Sequence, residues 1–166
     1  RDDLININQI IEHDLFTKSL VDVYKTSSLP VLNFQVAHKD SGNWPITINP
    51  RYSATIKGKY ETNVYWKNFK SGQPLLKGKR LKFKLNTDVP PPFKIYWQVV
   101  NTGQEARDAG QMRGEISEHA NNNSSDIFRT ESTSYSGDHW VEGFVIKDDR
   151  CVAKTGEFVV SIRDTY

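Results

Sequence analysis

The chain has 166 residues, of which 37% are hydrophobic and 25% are charged, so it is long enough to bury one core and too short for two independent domains. A single cysteine and a single methionine exclude a disulfide framework and a thiolate metal cage, and they favour a reducing cytoplasm. The net charge is +2, and no apolar run approaches the roughly 20 residues of a membrane span, so we expect no membrane partner.

The first part of the chain predicts a helix. Apolar side chains recur at spacings of three and four residues, the period of an amphipathic helix, at Leu4, Ile7, Ile11 and Leu15. We therefore expect residues 1–27 to form a helical linker and residues 28–166 to form one folded domain. The start at Arg1, where a complete chain would have methionine, suggests a fragment of a longer protein.

Short alternating runs separated by turn residues follow the helix. Strands are predicted at residues 31–37, 52–56, 63–66 and 80–85, with breaks at Gly58, Ser71, Gly72 and Gly78. The clearest alternation lies in residues 93–103 and 139–146. Because strands outnumber helices and turn signals recur every eight to twelve residues or so, the pattern favours an antiparallel β-sandwich, with an immunoglobulin-like arrangement as one form of it.

The connections between these strands carry recognisable turn chemistry. Three prolines at positions 90–92 predict a stiff extended lead-in to the strand at Phe93. Residues Asp148 and Asp149 predict a hairpin turn. We expect one helical turn at residues 107–110, a mobile loop at residues 121–125, and a loop around Trp44 whose ring packs against the domain.

Charge is distributed unevenly along the chain. Residues 57–100 contain ten Lys or Arg against two acidic residues, whereas residues 101–166 contain seven basic and twelve acidic residues. A basic stripe of this kind suits an anionic partner such as nucleic acid. The alternative is that the lysines are solvated positions that keep an edge strand from pairing with its neighbours, namely Lys77, Lys79, Lys82 and Lys84.

Two strings in the second half carry an ordered set of polar and glycine positions: YWQVVNTGQEARDAGQMRG and ESTSYSGDHWVEGFVIKDDRCVAKTGEFVVSI. Their order of Trp, Asn-x-Gly, Arg-Gly, Glu and Tyr-x-Gly-x-His-x-x-Glu resembles the adenylyl/guanylyl cyclase and SMODS C-terminal sensor domain family. The resemblance covers about residues 81–162. It implies a regulatory domain, not an enzyme, that lies behind a nucleotidyltransferase or cyclase domain in bacterial antiphage defence and senses a ligand such as a nucleotide.

Nine residues are candidates for a site that binds a nucleotide or another small anionic ligand. They are Tyr96, Asn101, Gly103, Arg113, Gly114, Glu131, Tyr135, His139 and Glu142. Arg113 offers a guanidinium fork to a phosphate or carbonyl. The rings of Tyr96 and Tyr135 offer faces on which a base can stack. Glu131 either accepts hydrogen bonds from a base or ribose or pairs with Arg129.

Asn101 and Gly103 close the first string with a turn. We expect the Asn101 side chain to cap that turn locally and Gly103 to take a positive φ angle. Backbone N–H groups of such a turn can also face an anion at the rim of a pocket.

The carboxylate of Glu142 is the least expected of these groups. In an extended strand Glu142 shares its face with large apolar side chains, and His139 lies on the opposite face. A carboxylate among apolar groups needs a cation, and we predict that Arg113 supplies it, with Gly114 allowing a backbone or a ligand to come close. Such a pair either is shared with a ligand or only fixes the fold.

Catalysis has little support in the sequence. There is no P-loop, Gly-x-Ser-x-Gly elbow, dinucleotide fingerprint or Cys-x-x-Cys, and the four histidines lack metal-ligand spacing. We expect no cofactor and no metal. Two other functions remain open: a protein-binding module that recognises a phage component or partner subunit through Trp44 or Trp66, and a nonspecific nucleic-acid-binding domain that uses the basic stripe.

Overall fold

The computed structural model describes residues 38–119 and 127–165. Their strands are β1 (Ala54–Glu61), β2 (Trp66–Phe69), β3 (Pro74–Leu76), β4 (Arg80–Thr87), β5 (Lys94–Val100), β6 (Ile116–Glu118), β7 (Ile127–Ser132), β8 (Gly137–Lys147), β9 (Arg150–Lys154) and β10 (Phe158–Arg163). A short helix, α1 (Gln104–Asp108), follows β5. The predicted helical linker at 1–27, strand at 31–37 and loop at 121–125 lie outside the described residues.

The strands form two sheets. Sheet one has the order β2-β1-β4-β7, and sheet two has the order β3-β10-β8-β5-β6 with β9 paired to β8. The pairings are antiparallel except for that of β3 with β10. The predicted antiparallel β-sandwich is therefore confirmed.

Alternation along the strands places one core between the sheets. The inward side chains of β4 and β5 belong to it, and each is no more than 5% exposed: Leu81, Phe83, Leu85, Ile95, Trp97 and Val99. Val141 and Val145 of β8 join them from the same sheet as β5. Trp97 is 1% exposed, so its ring is part of the core and offers no platform for a ligand.

A second apolar cluster covers the outer face of sheet two. Phe144, Ile146 and Cys151 are buried there, with the Trp44 ring packed over them. The centroid of the Trp44 ring lies 4.5 Å from that of Tyr96 and 6.0 Å from that of Phe144. The prediction that Trp44 packs against the domain is confirmed, and this packing leaves the Trp44 side chain partly buried.

Two strand predictions in the first half were wrong. Gly58 does not break a strand but lies inside β1. Glycine is needed there because a Cβ would lie 2.7 Å from the Phe69 ring and 2.8 Å from the Phe158 ring. Residues 63–66 are mostly turn: the Thr62 hydroxyl donates to the Tyr65 carbonyl at 2.6 Å, and β2 begins only after that turn.

The predicted hairpin turn and proline connection are both found. Asp148 and Asp149 have φ angles of 51° and 56°, the left-handed region that a tight two-residue hairpin uses, and they join β8 to β9. The prolines at 90–92 lie between β4 and β5, outside both strands. The predicted helical turn at 107–110 begins three residues earlier, as α1.

Candidate functional site

A cavity of about 180 Å³ opens between the two sheets, beside the end of β5 and the start of β8; we call it the inter-sheet cavity. Its floor consists of apolar side chains from both sheets, namely Leu81, Phe83, Val99, Val141, Val160 and Ile162. The sandwich therefore leaves an apolar recess at one end of its core.

The rim of the inter-sheet cavity is polar. It is formed by the segments that follow β5 and α1, by the end of β7 and by the loop before β8, and its residues are Asn101, Gln111, Arg113, Glu131, Ser132, Ser134 and Tyr135. Of the nine candidate residues, five border this cavity: Asn101, Arg113, Glu131, Tyr135 and His139. The structure thus brings together residues that lie up to 38 positions apart in the chain.

At the rim, the Glu131 carboxylate lies between two arginines. Arg113 Nη1 donates to Glu131 Oε2 at 2.6 Å, and Arg129 Nε donates to Glu131 Oε1 at 2.6 Å. Of the two alternatives for Glu131, the pairing with Arg129 is therefore found. Arg113 also lies 3.4 Å from Glu115. Burial opposes the Arg113 charge, but Glu131 and Glu115 outweigh it and raise the pKa of Arg113, so this cation is permanent and anchored.

These arginines also close one edge of the sandwich. Arg129 Nη1 donates to the Ser117 hydroxyl at 3.1 Å, which links β7 of sheet one to β6 of sheet two. Because Arg113 belongs to the chain just before β6, the Glu131 carboxylate joins both sheets through its two partners. A molecule bound beside Arg113 would touch a connection that both sheets share.

The predicted ion pair between Arg113 and Glu142 is wrong. Glu142 faces outward from sheet two, away from the inter-sheet cavity, because side chains alternate along β8. Its cations are Lys39, at 3.7 Å, and Lys154, at 3.9 Å. The Glu142 side chain is only 5% exposed, and burial raises its pKa in spite of both lysines.

His139 lies on the cavity wall with both ring nitrogens occupied. The backbone N–H of Thr102 donates to Nδ1 at 3.1 Å, so Nδ1 is unprotonated and Nε2 carries the hydrogen that it donates to the Tyr135 carbonyl at 2.8 Å. Burial lowers the pKa of His139, which keeps the ring neutral. His139 therefore fixes the loop before β8 and has no nitrogen left for a ligand.

Asn101 holds the rim together instead of capping its own turn. Its side-chain amide donates to the Gln111 carbonyl at 2.8 Å, and its backbone N–H donates to the Arg113 carbonyl at 3.2 Å. The predicted local cap was wrong because the chain after α1 returns to the same place. The Arg113 backbone is thus fixed independently of its side chain.

The two candidate glycines have structural roles. Gly103 has the predicted positive φ, 93°, and a Cβ there would lie 2.9 Å from the Ser136 carbonyl oxygen. A Cβ on Gly114 would collide with the carbonyl oxygen of His38. We expected either a backbone segment or a ligand to lie close to Gly114, and the structure shows a backbone segment. The Asp40 N–H donates to the Gly114 carbonyl at 3.0 Å.

The two candidate tyrosines lie on different sides of sheet two. Tyr96 is on the outer face, against the Trp44 ring, and its hydroxyl donates to Glu118 at 2.8 Å; that hydrogen bond raises the pKa of Tyr96. Tyr135 is half-buried at the rim of the inter-sheet cavity. Only Tyr135 can contact a molecule in that cavity.

Glu105 in the first turn of α1 is a structural residue that the sequence reasoning left out of the candidate set. Its carboxylate accepts the backbone N–H and the hydroxyl of Ser136, both at 2.7 Å, and Lys77 at 2.6 Å. The Lys77 hydrogen bond, followed by those from Ser136, lowers the pKa of Glu105 to about 2. An acidic residue after a positive-φ glycine at a helix start was the signal that could have identified it.

The described residues contain neither a metal-binding cluster nor a membrane-spanning helix. Within residues 38–119 and 127–165, no group of three or more His, Cys, Asp or Glu side chains is arranged to hold a metal ion. In the same parts of the chain, no helix has the length and apolar character needed to cross a membrane.

The chain matches a known protein family. A family model described as the Adenylyl/Guanylyl and SMODS C-terminal sensor domain matches residues 33–163, which is most of the chain and extends well before the motifs quoted above. No curated protein sequence matches the chain. The match covers both sheets and every candidate site residue.

Proposed function

This chain belongs to the Adenylyl/Guanylyl and SMODS C-terminal sensor domain family, whose members are sensor domains of cyclase-like synthases, and we propose that it senses a nucleotide in the inter-sheet cavity. The observation that carries the proposal is the pairing of an apolar floor with a rim that offers both a cation and hydrogen-bonding groups, a combination typical of small-molecule sites.

The chemistry of the cavity suits a nucleobase. Its apolar floor accepts a flat ring, and Tyr135 lies at the rim where such a ring would enter. Arg113 supplies donors to a carbonyl or phosphate oxygen, and Glu131 supplies acceptors to an amino or ribose hydroxyl group. The charges of Arg113, Arg129, Glu131 and Glu115 balance, so the rim favours a ligand with both donors and acceptors over a simple anion.

The volume of the cavity limits how much of a ligand can enter. About 180 Å³ is below the roughly 300–1,000 Å³ of pockets that enclose a whole drug-sized molecule. We therefore place the base inside the cavity and the sugar and phosphate outside it, where Arg113, 27% exposed, is the nearest cation of the rim.

Such a ligand can regulate an enzyme only by binding one conformation of the domain more tightly than another. A base in the inter-sheet cavity would contact β4 of sheet one and β8 and β10 of sheet two, so it would favour one spacing of the sheets. The domain itself would have no catalytic step. It would act on a nucleotidyltransferase or cyclase domain in the same chain, in antiphage defence inside the cytoplasm.

A thermal-shift screen of the 166-residue chain tests the proposal. The panel contains nucleoside mono-, di- and triphosphates and cyclic dinucleotides. A ligand at about one hundred times its Kd adds about 2.7 kcal/mol to stability, and 1 kcal/mol raises the Tm of a domain of this size by roughly 2–4 °C. We expect at least one nucleotide at that concentration to raise the Tm by about 5–11 °C.

Matched arginine variants show where the ligand binds. Arg113→Gln and Arg129→Gln each remove one partner of Glu131, but only Arg113 borders the cavity. We expect R113Q to lose the ligand-induced shift and R129Q to keep it. If no nucleotide shifts the Tm, or if R113Q retains the full shift, the proposed site is wrong. A null screen would favour the protein-binding alternative, in which Trp44 or Trp66 contacts the partner.

A further inference from the structure

Four lysines form a square on the outer face of sheet one. Lys57 of β1 is the register partner of Lys84 of β4, and Lys59 is the register partner of Lys82. The two lysines of each pair therefore lie directly opposite each other on neighbouring strands, and the two pairs are one pleat repeat apart. We call this surface the lysine face.

An edge-protecting role does not explain the lysine face. The sequence suggested that Lys82 and Lys84 keep an edge strand from pairing, but β4 is flanked by β1 and β7 and is a central strand. Like charges directly opposite each other on a sheet destabilise it. The fold thus tolerates the facing Lys59 and Lys82 at a place where no exposed edge requires them.

Lys77, from the same basic stripe, is elsewhere. Its ammonium is 2.6 Å from Glu105 and 2.8 Å from Asp164. Lys77 therefore lies outside the lysine face, and the basic stripe of the sequence is not one surface.

Two aromatic side chains border the lysine face, one from each edge strand of sheet one. Trp66 of β2 and Phe128 of β7 line, with the four lysines, a groove of about 320 Å³. The Lys82 ammonium lies 3.9 Å from the centroid of the Phe128 ring, a distance at which the ring attracts the cation. The groove has apolar walls and a cationic border.

The four strands of sheet one contain two acidic side chains. Glu61, at the end of β1, is 3.4 Å from Arg80, and Glu131 points inward to the inter-sheet cavity. Neither of these two side chains lines the groove. Lys57, Lys59 and Lys82 therefore give the groove a positive charge of the kind that suits a polyanion.

We infer that the lysine face binds single-stranded nucleic acid. Proteins that hold single strands combine a positively charged groove for the phosphates with aromatic side chains on which the bases stack, and this groove contains both. A double helix keeps its bases stacked inside and would use only the lysines, so the two aromatic borders favour the single strand. This site is separate from the inter-sheet cavity, and either one can fail without the other.

Fluorescence anisotropy tests the inference by measuring binding of the 166-residue chain to a fluorescein-labelled single-stranded RNA. The RNA has about 20 nucleotides, which is longer than the site of roughly 4–16 nucleotides that known domains cover. The test variant is Lys57→Gln with Lys82→Gln, and the control is Lys94→Gln with Arg150→Gln, which removes the same charge from exposed positions of sheet two. Trp66→Leu removes one aromatic border.

We expect the wild-type chain to bind the RNA with an affinity that falls steeply with salt. Each phosphate contact contributes about 0.7 to the slope of log affinity against log salt, so K57Q/K82Q should reduce the slope by about 1.4 and weaken binding by about ten-fold or more. The control should stay within about two-fold of wild type. Trp66→Leu should weaken binding about five-fold or more with little change in slope.

Three results would overturn the inference. The first is no binding of the RNA at roughly 50 mM salt, and the second is an equal loss in the test and control variants. The third is binding of the chain to phosphatidylserine vesicles without binding to the RNA, which would identify a membrane-directed surface. Equal circular dichroism spectra and Tm values of the variants ensure that a loss of binding is not a loss of folding.

Discussion

Filling the inter-sheet cavity with one methylene should stabilise the protein. Val160 lines the cavity and is 3% exposed, so Val160→Ile places its extra methylene in space that is now empty of protein atoms. Burying one methylene is worth about 0.8 kcal/mol. Val145 is fully buried in the same core but does not line the cavity, so Val145→Ile must displace its neighbours and lose about 1–3 kcal/mol.

The comparison of these two variants is sharper than either alone. Their free energies of unfolding should differ by roughly 2–4 kcal/mol although both make the same chemical change. Urea denaturation of the 166-residue chains, with the slope of free energy against urea checked to be unchanged, measures this difference. If both variants lose stability equally, the cavity is filled or closed in solution and the floor described above is wrong.

Three further predictions follow from single contacts. The pKa of Glu105 is lowered to about 2, so the carboxylate's contribution to stability is complete above the ordinary value of 4.5 and is lost as the pH falls toward about 2. Between these pH values, urea unfolding should show a smaller loss of stability for Glu105→Gln than for wild type. Equal losses in the two proteins would contradict the Lys77 and Ser136 contacts. Gly114→Ala introduces a Cβ that collides with the His38 carbonyl, so we expect a loss of about 2 kcal/mol or more in the free energy of unfolding, and an unchanged Tm would mean that the His38 segment does not pack there. Burial raises the pKa of Glu142, so its stabilising effect is present at acid pH and is lost as the pH rises through the raised value. Glu142→Gln should therefore be more stable than wild type at pH 8 and gain little at pH 4, whereas a loss at pH 8 would show that the neighbouring lysines outweigh the burial.

The sequence predicted the sandwich because alternation is a local signal. Inward and outward faces of β8 follow from the two-residue period alone, and Val141 and Glu142 indeed lie on opposite faces of sheet two. The same reasoning failed at Gly58, since the rings that make a glycine necessary there come from β2 and β10. Such a contact between distant segments leaves no periodic trace in β1.

The candidate site was predicted in part for the same reason. Tyr135 and Glu131 border the inter-sheet cavity, where the motifs suggested a site, but the partner of Arg113 was misassigned. Choosing between Glu131 and Glu142 requires knowing which strand edge Arg113 approaches, and this depends on how the chain after α1 returns to β5. The lysine face escaped prediction as a unit because strand order decides which lysines become neighbours.

The most direct test of the central claim is an NMR titration in which the backbone amide resonances of the ¹⁵N-labelled chain are recorded with each nucleotide of the thermal-shift panel. The account predicts saturable shifts at residues around the inter-sheet cavity, such as Tyr135, Val141 and Val160, and unchanged resonances at Lys57 and Lys59. Shifts confined to the lysine face, or no shifts with any nucleotide of that panel, would contradict the claim that the cavity is the sensor site.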